Sequence, residues 1–154
     1  MTRFDAHEDN RRPVVVLGAS EATMRGLRAS LEARGPVRLA TFSAHVLQLV
    51  DAPPRPRLVV ADASRRTDEV QALVRELKRG GVTRTTPVLV LLHRANGRAM
   101  VDMINAGARA VLRRPLRRAD VDGALRRALG PASVPPPPGP DASARRAGRL
   151  ELSR

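Results

Sequence analysis

The chain has 154 residues, a length for one domain with tails, and 42% of them are apolar, enough to build a core. With no cysteine, disulfides and thiolate metal sites are excluded, and apolar runs such as Val88–Leu92 are too short to cross a bilayer. The formal charge of +13 invites acidic partners, but the 21 basic and 10 acidic residues between Pro13 and Gly130, a surplus of +11, are scattered, and no basic helix with a helix-turn-helix partner supports sequence-specific DNA binding.

In chain order, residues 1–12 form a polar leader of mixed charge that does not resemble a secretion signal, so a cytoplasmic protein is expected. Pro13 opens Val14-Val15-Val16-Leu17, a β-branched run closed by Gly18, which predicts a strand buried on both faces. Over Glu21–Arg34 the residues Met24, Leu27 and Leu31 share one helical face, and Gly35-Pro36 ends the helix. Val37, Leu39 and Thr41 alternate as in a second strand. Ser43 is expected to cap a short helix, Ala44–Val50, ahead of Pro53-Pro54.

The third strand, Leu58–Ala61, is apolar throughout and runs into Asp62. Val70, Leu73, Val74 and Leu77 then give the i, i+3, i+4, i+7 stripe of an amphipathic helix closed by Gly80-Gly81. Pro87 starts a fourth strand, Val88–Leu92. Arg98–Ala106 follows as a helix with Met100, Met103 and Ile104 available for burial. Ala110-Val111-Leu112 is a fifth strand broken by Pro115. Val121, Leu125, Ala128 and Leu129 line a last helix, with Asp120 and Asp122 placed early in it, where the helix dipole favours acids.

Five strands alternating with five helices, the strands apolar on both faces, predict a parallel, doubly wound α/β sheet. A flavodoxin-like five-stranded sheet fits this pattern. Half of a dinucleotide-binding fold does not, because the turn Gly18-Ala19-Ser20-Glu21-Ala22-Thr23 lacks the required GxGxxG. The domain therefore runs from residue 13 to 130. Residues 131–154 hold Pro135-Pro136-Pro137-Pro138 and an Arg-rich end, and read as a disordered, solvated tail. Its 24 residues are too few for an output domain.

With strand order 2-1-3-4-5, ligands would collect at the carboxyl ends of strands one and three, beside Gly18-Ala19 and Asp62. Taken alone, Asp62 reads equally as a cap for the segment that follows or as a functional acid. His7, His45 and His93 share no metal-ligand spacing, and Met100 and Met103 read as core.

From Pro13 to Gly130 the chain resembles the receiver domains of two-component response regulators, the CheY-like proteins. Arg57-Leu58-Val59-Val60-Ala61-Asp62 is similar to the strand that ends in their phosphoacceptor aspartate. Thr86-Pro87-Val88-Leu89-Val90-Leu91 is similar to their fourth strand. Ala106-Gly107-Ala108 and Leu112-Arg113-Arg114-Pro115-Leu116 resemble the segments that carry their Ala-Gly-Ala and Leu-Thr-Lys-Pro-Phe. The resemblance implies a cis Arg114-Pro115 bond.

It also marks departures. The family's two Mg²⁺-binding acids match Gly18 and Ala19, neither of which has a side-chain oxygen. The switch hydroxyl matches Leu92 and the switch aromatic matches Val111. The conserved lysine matches Arg114, which could pair with Asp62. The loop Ala63-Ser64-Arg65-Arg66 lacks the usual proline and glycine and adds positive charge.

These departures point to an atypical, or pseudo-, receiver: a cytoplasmic, non-enzymatic module acting by phosphorylation-independent protein–protein interaction, without a cofactor. Its expected partner is a protein with an acidic surface, such as a histidine kinase or another signalling protein. Two alternatives stay open: a stand-alone receiver phosphorylated on Asp62 by a histidine kinase, which would need Mg²⁺, and a basic nucleic-acid-associated protein. No membrane association is expected.

Overall fold

A computed structural model describes residues 12–93 and 97–130. Among them the elements alternate as β1 (Val14–Leu17), α1 (Glu21–Glu32), β2 (Val37–Ala40), α2 (Ser43–Asp51), β3 (Leu58–Asp62), α3 (Thr67–Arg79), β4 (Val88–Leu92), α4 (Gly97–Ala106), β5 (Ala110–Arg113) and α5 (Arg118–Leu129). One 3₁₀ turn, Val82–Arg84, precedes β4. Every neighbouring pair of strands is parallel, in the order β2-β1-β3-β4-β5. The flavodoxin-like architecture expected from the alternation is the one observed.

The two-residue period of the strands divides the core into two layers. Val14, Val16, Leu58, Val60, Leu89 and Leu91 pack beneath α1 and α5, against Leu27, Leu31 and Leu125. Val15, Leu17, Val59, Ala61, Val90 and Leu92 pack on the other side, against Val46 of α2, Val74 of α3 and Met103 of α4. Because both faces are dry, the strands carry no alternating polar residues.

Several local expectations are corrected. The first helix ends at Glu32, two residues short of Arg34, and the chain turns through Arg34 before Gly35. In β2, Leu39 is 56% exposed while Ala40 is buried, because this edge strand carries Leu39 past the helices that cover Val37. Ser43 is not a cap: Phe42 holds the cap position without a side-chain bond, and Ser43 Oγ donates to Glu69 Oε2 at 2.9 Å. In α4 the buried stripe is Ala99, Met103 and Ala106, leaving Met100 half-buried and Ile104 46% exposed.

Arg12, the first described residue, is held against the domain. Arg12 donates from Nε to the Arg55 carbonyl at 3.0 Å and from Nη2 to the Pro56 carbonyl at 2.8 Å, joining the strand ends beneath the sheet. The rest of the leader, His7 and the Pro-rich, Arg-rich tail lie outside the described residues. No helix among the described residues is long and apolar enough to cross a membrane.

Candidate functional site

Parallel strands that end together leave their carboxyl ends open to one side of the sheet, and there the predicted residues converge. β3 delivers Asp62 at its last position, paired across the sheet with Leu91. Asp62 follows Leu58 and Val60 at two-residue steps, so it lies on the side covered by α1. Arg114, one residue past β5, follows Ala110 and Leu112 by the same period and reaches the same side. Its backbone N–H donates to the Leu92 carbonyl at 3.1 Å, and the Arg114–Pro115 bond is cis.

The two side chains meet. Arg114 Nη2 donates to Asp62 Oδ2 at 2.7 Å, with the Asp62 side chain 9% exposed and that of Arg114 29% exposed. The same Nη2 donates to Thr23 Oγ1 at 2.7 Å, and Nε donates to Ser64 Oγ at 3.0 Å. The other carboxylate oxygen, Oδ1, accepts the Ser64 backbone N–H at 3.0 Å. Asp62 therefore makes an Asx-type turn within its own loop and does not cap α3, whose cap position is Arg66.

Three residues of this network, Ser20, Thr23 and Ser64, were not singled out from the sequence. Ser20 caps α1 by accepting the Thr23 N–H at 3.2 Å, and its hydroxyl donates to Thr23 Oγ1 at 3.1 Å. The signal available was the serine before Glu21 with a threonine three residues later, a spacing that brings both hydroxyls to the first turn. Thr23 is buried, so its hydroxyl needs a partner, and Arg114 supplies one.

The remaining predicted residues take distinct places. Gly18 lies exposed at the rim of the hollow with φ +73°, while Ala19 is half-buried against the layer beneath α1. Leu92 is 1% exposed and points into the opposite layer, away from Asp62. Val111 packs against that same layer and also lines a cleft between α4, β5 and α5. Pro115 is exposed at the mouth of that cleft. The structure thus joins the side chains of Asp62 and Arg114 and turns those of Leu92 and Val111 to the opposite layer.

Mg²⁺ is the ion that such a fold implies at this position, and the donor set does not fit it. Mg²⁺ requires near-octahedral hard oxygen ligands. Among the described residues Asp62 is the one carboxylate lining the hollow, each of its oxygens already accepts a bond, and the positive Arg114 guanidinium lies 2.7 Å from Oδ2. Among the described residues no three His, Cys, Asp or Glu side chains are grouped closely enough to hold a metal ion.

No family model matches the chain. No curated protein matches it either. Solved structures do. A response regulator receiver domain protein of Clostridium thermocellum superposes with a TM-score of 0.63 at 19% identity, covering 77% of this chain and 94% of that one. A protein of Burkholderia pseudomallei described as pilus assembly-related superposes at 0.64 with 23% identity, covering 79% and 91%. NtrX of Brucella abortus gives 0.65 at 19% identity over 94% of this chain, which spans 30% of that longer protein. The chain has the fold of a response-regulator receiver domain.

Proposed function

We propose that the chain is a receiver-like signalling module that works by binding a protein partner, independently of phosphorylation. One observation carries this reading: the Arg114–Asp62 contact of 2.7 Å, which fills the acceptor position with an internal ion pair. Phosphoryl transfer to a carboxylate needs a cation to neutralise the developing charge and a free oxygen to attack. Gly18 and Ala19 supply no ligand for the first, and the bonds from Arg114 to Oδ2 and from the Ser64 amide to Oδ1 draw electron density from both oxygens and weaken the second.

The surface that fits a partner is the face of α4, β5 and α5. Val101 is 59% exposed and Ile104 46% on α4, and Ile104 lies one turn from Met100, which lines the cleft with Arg113, Arg117 and Arg127. An apolar strip bordered by arginines suits an acidic, amphipathic partner surface. This reading has no catalytic step and takes place in the cytoplasm.

The test is direct. The full chain is incubated with acetyl phosphate and Mg²⁺ and weighed intact. No phosphate adduct is expected; an adduct that vanishes in Asp62→Asn would establish phosphorylation and overturn the proposal.

A further inference from the structure

The flank of α4 that faces α3 borders a second groove, separate from the cleft that Met100 lines. Its polar lining is Gln71, Arg75, Lys78 and Arg79 of α3, with Asp102 and Asn105 of α4. The three cations share one strip of α3, because residues three and four apart lie on the same helical face. Arg79 makes only a contact of 3.5 Å with Glu76, its side chain 74% exposed. Arg75 and Lys78 have no ion-pair partner among the described residues, and neither has Asp102. Asp102 is the one acid among the described residues that line the groove, so positive charge is in excess there. Lys78 is also held in place. A Cβ added to Gly107 would meet its Cβ and Cδ at 3.0 Å, so the lysine stem lies directly across that glycine. A side chain ordered in advance loses less freedom when a partner arrives.

We propose that this groove docks a partner helix bearing two carboxylates one turn apart. Arg75 and Arg79 lie roughly 6 Å apart along the axis of α3. Carboxylates at i and i+4 of a facing helix repeat at the same interval, and Lys78 completes the set of cations. The amides of Gln71 and Asn105 each offer a donor and an acceptor, which suits the mixed polar groups of a peptide. Asp102 favours a protein over a nucleic acid. A phosphodiester backbone brings only acceptors and negative charge to it, whereas a peptide offers N–H groups and basic side chains. The inference rests on the reading that the chain binds a protein partner, and it adds a contact outside the face of α4, β5 and α5.

The test is a ¹H–¹⁵N titration of the full chain with an alanine-based helical peptide carrying Glu at i and i+4. A peptide with Glu at i and i+2, a peptide with Gln at i and i+4, and a random-sequence DNA duplex are titrated separately at constant ionic strength. Saturable shifts at Gln71, Lys78 and Asn105 are expected with the first peptide, smaller ones with the second and none with the third. The double variant Arg75→Gln, Lys78→Gln should weaken binding about tenfold, the loss of two solvent-screened ion pairs. Arg25→Gln with Arg38→Gln removes the same charge from exposed positions on α1 and β2, and should change binding less than about twofold.

Shifts that fail to saturate, that both Glu spacings produce equally, or that the duplex reproduces overturn the proposal. So does an α1 and β2 variant that weakens binding as much as the α3 variant. Saturable shifts confined to Met100, Arg113 and Arg127 also overturn the groove, and leave the face of α4, β5 and α5 standing. A phosphate adduct from acetyl phosphate would instead overturn the phosphorylation-independent reading, and the titration would still decide the groove.

Discussion

Asp62 and Arg114, 52 residues apart in the chain, lie 2.7 Å apart at the carboxyl end of the sheet. Because the pair is mostly shielded, it should couple more strongly than the surface pairs. A double-mutant cycle of Asp62→Asn and Arg114→Met, read by urea denaturation, is expected to give a coupling of about 1–2 kcal/mol. The exposed i, i+4 pair Arg28–Glu32, at 3.4 Å, should give about 0.5 kcal/mol or less in the same assay. Equal couplings would show that the Asp62 pair is solvent-screened.

Gly18 occupies a left-handed conformation with room for a side chain, the nearest atom to an added Cβ being the Asp62 carbonyl at 3.7 Å. The cost of Gly18→Ala is therefore conformational and not steric, about 1 kcal/mol. Chemical denaturation should show that loss with the fold intact. A neutral result would mean that the turn relaxes to negative φ.

Leu92 and Val111 occupy the positions where the receiver resemblance places switch residues, but they carry different packing. Leu92 is fully enclosed beneath α2, α3 and α4, so Leu92→Ala should destabilise by about 3 kcal/mol. Val111 is only half-buried, and Val111→Ala should cost about 1 kcal/mol. The ratio of the two, measured by urea midpoints at constant m, checks the burial difference.

Arg34, just after α1, has a buried Nη1 without a hydrogen-bond partner among the described residues. Burial first, then the neighbouring Arg57 and Arg126, push its guanidinium below the usual arginine range, with Asp122 opposing them. Arg34→Leu removes an incompletely satisfied cation from a basic neighbourhood. Its unfolding free energy from urea denaturation is expected to equal that of the parent chain or exceed it by up to about 1 kcal/mol. A loss of 2 kcal/mol or more would show that Arg34 makes a net favourable contact.

Much of the architecture was legible in the chain. Apolar runs such as Val14–Leu17 and Val88–Leu92 announce strands covered on both sides, and the stripe of Val70, Leu73, Val74 and Leu77 announces its helix, because backbone geometry repeats every two or 3.6 residues. The same periodicity misjudged Leu39 and Ile104: it says which residues share a face, not whether a neighbour covers that face.

The candidate site divides along the same line. Composition and order determined that Asp62 ends a buried strand and that Gly18 and Ala19 bring no acid beside it. Only the tertiary structure decided that Arg114 reaches Asp62, that Thr23 and Ser64 complete its hydrogen bonds, and that Leu92 points the other way. Local sequence encodes local conformation, whereas the partner of a buried charge depends on how distant segments converge, and that is set by the packing of the whole sheet.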